Sequence, residues 1–262
     1  MTHPRTGHAT IPRLRLLGIA SLPSASTGID VQLPYRKGWA LLGYLAVERG
    51  RRHSREQLAG LLWPNLDGAA SRTNLRQVLS ALQRAFTELG LSHLLRAEKN
   101  TIGLVPSDPC DQVFDIDLLD PLIVEEGDLI DVLVQGPGWH HRGLFLEGVT
   151  VTDGSDFEDW LAFTRQHYQR RELRLMCRLR DRLRADGRHG DAIDLGWRIV
   201  KADGWNEAHH RALMVLLAEE GSRHEAMQVY TDLERALRRH LDCAPSAETR
   251  DLHRRLTGLP TP

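Results

Sequence analysis

Ala69-Ala70-Ser71-Arg72-Thr73-Asn74-Leu75-Arg76-Gln77-Val78-Leu79-Ser80-Ala81-Leu82-Gln83-Arg84-Ala85-Phe86 is the stretch on which the reading of this chain turns. At about 100° per residue, Leu75, Val78, Leu79, Leu82, Phe86 and Leu89 fall within about 60° of one line, the spacing of a helix with a buried stripe. The opposite face carries Thr73, Gln77, Ser80 and Arg84, with Asn74 and Arg76 on its shoulders, and it meets no acid until Glu88. A solvated helix face ordinarily mixes both signs of charge. Hydroxyl, amide and guanidinium groups without carboxylates suit base edges and phosphates. Ser80 and Ala81 are small, so a groove can approach the backbone closely.

The neighbouring segments give this helix a context. Ser54-Arg55-Glu56-Gln57 reads as a capping box, Leu58, Leu61, Leu62 and Trp63 as the buried face of a short helix, and Pro64 as its stop. Asp67 is placed to cap the next helix. Upstream, Arg36 to Glu48 predicts a helix that is apolar nearly all round, hence central, closed by Gly50. Leu14 to Gly18 and Ile29 to Leu33 read as strands around a loop at Pro23 to Gly28. Downstream, Leu94 to Ala97 and Thr101 to Val105 form a hairpin with the polar tip Glu98-Lys99-Asn100.

Two strands, three helices and a hairpin make a winged helix, in which the third helix enters the major groove. On that reading Thr73, Asn74, Arg76, Gln77, Ser80 and Arg84 meet base edges. Ser54 and Arg55 at the start of the second helix, Arg36 and Lys37 at the start of the first, and Lys99 at the hairpin tip meet phosphates. Arg72 lies nearer the buried stripe, which assigns it to a phosphate or to an intramolecular pair.

The net charge of −1 over 262 residues hides an asymmetry. Residues 1–105 hold 14 lysines and arginines against 6 acids, residues 106–150 hold 1 against 10, and residues 151–262 hold 19 against 19. A basic head, an acidic connector and a balanced tail predict an anionic partner at the head. The acidic connector also offers a cover that restrains DNA binding. Three cysteines far apart fit reduced thiols in a cytoplasm. No run reaches the roughly 18 apolar residues of a membrane span. The first residues lack the apolar core of a secretory signal. His140-His141 reads as surface, so no metal is expected. No phosphate loop of the G-x-x-x-x-G-K-[ST] kind is present, nor any nucleophile, metal or carboxylate constellation, so neither an enzyme nor a cofactor is expected.

From Asp156 the chain is helical. Asp186 and Glu220, Gly187 and Gly221, Asp191 and Glu225, Ala192 and Ala226, and Leu195 and Val229 each stand 34 residues apart. That period, with a small alanine facing the partner helix, is the tetratricopeptide signature. Trp205-Asn206-Glu207-Ala208 is read as beginning the second helix of the first unit, and Pro245 to Thr249 as leading into the last helix.

With these residues in view, the chain resembles SARP-like bacterial transcriptional activators with a bacterial transcriptional activator domain. The head is similar at Leu14 to Gly18, at Arg36-Lys37 leading into Ala40-Leu41-Leu42, at Ser54 to Pro64 and at Ala70 to Gln77. The tail is similar at Gly143 to Gly148, Phe157 to Leu161, Glu207 to Met214 and Ala244 to Arg250. The resemblance implies a mostly α protein. Its N-terminal winged helix would be of the OmpR/PhoB type (α+β), and an all-α tetratricopeptide-like repeat domain would follow. It implies a homodimer or side-by-side pair on direct repeats in double-stranded promoter DNA, and contact with RNA polymerase or its sigma subunit. The expected divisions are a disordered 1–11, a DNA-binding domain at 12–106, an acidic connector at 107–150 and the helical domain at 151–257. The rival reading is a protein-interaction scaffold whose winged helix packs against partners rather than DNA.

Overall fold

The structure, a computed structural model, describes residues 14–24, 28–106, 113–119, 143–151 and 155–258. The expected disorder at the N-terminus, His140-His141 and most of the acidic connector lie outside these residues. The chain divides into two compact units: residues 1–129 with 140–171, and residues 130–139 with 172–262.

In the first unit, α1 (Arg36–Val47) buries Gly38, Ala40, Leu41, Leu42, Gly43, Leu45 and Ala46. Burial on nearly all sides makes it the central helix, as its apolar sequence requires. Strand β1 (His53–Ser54) leads directly into α2 (Arg55–Leu62), whose cap Ser54 accepts the Gln57 N–H at 3.0 Å. Helix α3 (Gly68–Glu88) starts at Asp67, whose carboxylate accepts the N–H groups of Ala69 and Ala70 at 2.8 Å each. These two bonds hold the Asp67 carboxyl below its usual range. Leu75, Val78, Leu79, Leu82 and Phe86 are buried, and Leu89, the last member of the expected stripe, is the half-buried C-cap. Strands β2 (Leu95–Ala97) and β3 (Thr101–Leu104) form the expected hairpin. β1 joins the free edge of β3, giving a three-stranded antiparallel sheet in the order β1-β3-β2.

Two expectations are corrected. The segments around Leu14 to Gly18 and Ile29 to Leu33 make isolated bridges rather than strands: Arg15 with Ser21, Leu17 with Phe145, Pro23 with Asp30. Each needs a different partner, so no ladder propagates. Nor are Asp115 and Asp117 part of a solvated acidic connector. Asp115 is fully buried and accepts the N–H groups of Leu16 at 2.8 Å and Leu17 at 3.2 Å. Asp117 pairs with the Arg49 guanidinium and accepts the Phe114 N–H at 2.9 Å. Burial pushes the Asp117 carboxyl upward, against the pull of Arg49. Residues 143–151 belong to the same core: Leu146, with φ of 50°, donates its N–H to Leu16 and fills the notch left by Gly43.

Helix α4 (Ser155–Ala185) gives its residues up to 171 to the first unit and the rest to the second. The second unit continues with α5 (His189–Ala202), α6 (Glu207–Glu219), α7 (Arg223–Leu241) and α8 (Ala247–Thr257). The 34-residue period reappears as matched main-chain bonds. Arg188 donates to Leu183 and Ser222 to Leu217, while Gly187 donates to Arg184 and Gly221 to Ala218. Both glycines hold left-handed φ, 73° and 84°, at helix ends where a side chain would strain the turn. Ala192 and Ala226 are both fully buried. The matched turns make α5 and α7 equivalent helices. The helix starting at Glu207 packs against both of them.

Candidate nucleic-acid interface

Helix α3 presents its polar face as the wheel requires: Thr73, Arg76, Gln77, Ser80 and Arg84 are exposed, and Asn74 is half-buried on its shoulder. From Thr73 to Arg84 this face runs about 17 Å at 1.5 Å per residue, enough to cross a groove about 12 Å wide. Among the described residues, no ion pair holds the guanidinium of Arg76 or Arg84. Thr73 spends its hydroxyl proton on the Ala69 carbonyl at 3.0 Å, which leaves its oxygen lone pairs outward. The opposite face is locked in the core by Leu82 and Phe86, both fully buried, so the polar face has a fixed bearing.

The predicted phosphate contacts are less uniform. Arg36 is exposed at the start of α1. Lys37 is half-buried, with its ammonium 5.0 Å from the centre of the Trp63 ring, where it braces α1 against the end of α2. Arg72 is exposed and folds back over the start of α3 beside Gly68. Ser54 is engaged as a cap. Lys99 is exposed at the hairpin tip. Arg55 is half-buried and turned onto that tip: its Nε and Nη2 donate to the Glu98 carbonyl at 3.1 and 2.9 Å, and its own N–H donates to the Asn100 carbonyl at 3.0 Å. The structure thus brings the start of α2 and the hairpin tip together.

Arg51, Arg52 and Arg96 also lie here, around a notch of about 30 Å³ at the sheet. Arg96 sits on a three-residue strand and Arg51 and Arg52 in a turn, where no periodicity marks them. Arg52 reaches Glu98 at 3.2 Å and Arg51 reaches Glu48 at 2.6 Å. Gly103 lets this turn lie against β3, since a Cβ there would stand 2.4 Å from the Arg51 carbonyl oxygen. Behind it His53 is buried against the edge of Tyr44, ring centres 5.1 Å apart, and its Nε2 has no partner among the described residues.

A capped helix with a fixed polar face thus lies in the same unit as a hairpin that carries Arg96 and Lys99. Residues 139–257 match the family model of the bacterial transcriptional activator domain. No curated protein matches the chain. The chain is similar to the solved structure of Mycobacterium tuberculosis EmbR in complex with a low affinity phosphopeptide. The TM-score is 0.65 and the identity 17%, over 96% of this chain and 67% of that one. At that identity the likeness carries the fold. Residues 139–257 thus resemble a bacterial transcriptional activator domain, and the fold as a whole is similar to that of EmbR. No helix among the described residues is long and apolar enough to cross a membrane.

Proposed function

We infer that residues 12–106 act as a winged helix of the OmpR/PhoB type that binds promoter DNA in a sequence-dependent way. The helical repeats would hold a second copy or the RNA polymerase. The observation that carries this is the bearing of α3: an acid-free face of hydroxyl, amide and guanidinium groups, exposed over about 17 Å and opposed by a fully packed stripe. Thr73, Gln77, Ser80 and Arg84 read base edges, with Asn74 and Arg76 flanking them. Arg36, Arg72 and Lys99 supply charge to the phosphate backbone. Lys37, Ser54 and Arg55 serve the same surface mainly by holding its parts in place. Two copies would sit side by side on direct repeats, as the resemblance implies.

The test is selection of duplexes from a random pool by the purified chain, followed by binding measurements across salt concentrations. The expected result is an enriched sequence bound with an affinity that falls steeply as salt rises. Binding that neither enriches a sequence nor depends on salt would refute the proposal and leave the scaffold reading standing.

A further inference from the structure

We propose that Arg55 is a positioning residue: it fixes the hairpin tip so that Lys99 meets the phosphate backbone, and acts on DNA through Lys99. This rests on the DNA-binding reading above. The β2–β3 hairpin is short, with three and four residues in its strands. β1 supports it from the β3 side only as far as Ser54 opposite Thr101, which leaves the tip Glu98-Lys99-Asn100 beyond the paired strands. Arg55 supplies what the ribbon lacks. Its guanidinium places two donors on the Glu98 carbonyl, and its main-chain N–H takes the Asn100 carbonyl. Those carbonyls flank Lys99 on either side. The tip is closed from within by the Glu98 N–H on the Thr101 carbonyl at 2.9 Å, and by the Thr101 hydroxyl on the Glu98 carboxylate at 3.3 Å. Arg52 adds a contact to the same carboxylate, but both side chains are more than half exposed, so that pair contributes little.

The main-chain anchorage has a second effect. With the Arg55 N–H on Asn100 and the Gln57 N–H on Ser54, the first turn of α2 has two of its donors engaged inside the protein. The start of α2 is therefore a mount for the hairpin more than a phosphate clamp of its own.

Two measurements test this. The first follows amide exchange at Glu98 in the DNA-free chain. R55A should speed it several-fold and leave exchange in the core of α3 unchanged. The second measures binding to a short random-sequence duplex across salt concentrations for R55A, K99A and the double variant. Each single variant should flatten the slope of log K against log salt by about 0.9, and the double variant by the same about 0.9. A double variant that loses about 1.8 would make Arg55 an independent phosphate contact and overturn the proposal. So would unchanged exchange at Glu98 in R55A. If the unsubstituted chain shows no salt-dependent binding, the DNA reading fails instead, and the exchange experiment alone decides the tether.

Discussion

Replacing Asp115 by alanine tests whether the segment after the hairpin is core or connector. Its carboxylate is fully buried and bonds the N–H groups of Leu16 and Leu17, nearly a hundred residues earlier in the chain. A hydrogen bond to an ionised acceptor contributes about 1.5–3 kcal/mol, and a buried N–H left without a partner forfeits the full amount. Two such bonds put the loss at about 3–6 kcal/mol, a large share of the roughly 5–15 kcal/mol by which a domain is stable. For a unit of this size each kcal/mol moves the midpoint by about 2–4 °C. Thermal melting followed by circular dichroism should therefore show D115A unfolding about 6–24 °C lower. D115N keeps one acceptor oxygen and turns an amide NH2 toward the other donor, so it should lose about half as much. A D115A shift within the roughly 0.5 kcal/mol typical of surface positions would refute the reasoning and return the segment to solvent.

On the enriched duplex, R84A and Q77A should each cost about 1–3 kcal/mol and relax the preference at one base position, read by gel shift on single-position variants. Burial holds the imidazoles of His209 and His210 below their usual pKa of 6.5. Their contribution to stability is thus complete above 6.5 and is lost as pH falls toward their folded values. The midpoint of urea unfolding should drop as pH goes from about 7 to 5, and less so in H210N. G221A forces a side chain into a left-handed turn and should cost about 1–2 kcal/mol in urea unfolding, with G187A matching it at the equivalent turn. G43A puts a methyl group 2.5 Å from Leu146 Cδ1 and should cost about 1–3 kcal/mol, part of which L146A restores in the double variant.

What the sequence shows of this fold depends on how local each cause is. Helix α3 is legible because Leu75, Val78, Leu79, Leu82 and Phe86 repeat with the helix itself, and the same period exposes Thr73, Gln77, Ser80 and Arg84. Ser54 and Asp67 are legible as caps because a cap acts on N–H groups two or three residues away. Gly187 and Gly221 are legible because repetition doubles the signal. β1 is not, since two residues cannot show alternation. Asp115 and Asp117 look like members of an acidic run, because the donors that bury them lie on a remote segment. Arg55 reads as a free cation for the same reason: its acceptors are carbonyl oxygens, which no side-chain pattern announces.

That last property carries into how such a surface changes. The atoms grasped on Glu98 and Asn100 are main-chain oxygens, present whatever residues stand there. The tip lysine can therefore be exchanged for arginine or serine while those acceptor oxygens remain. On the DNA-binding proposal, affinity for a duplex would become adjustable at one small cassette, independently of α3.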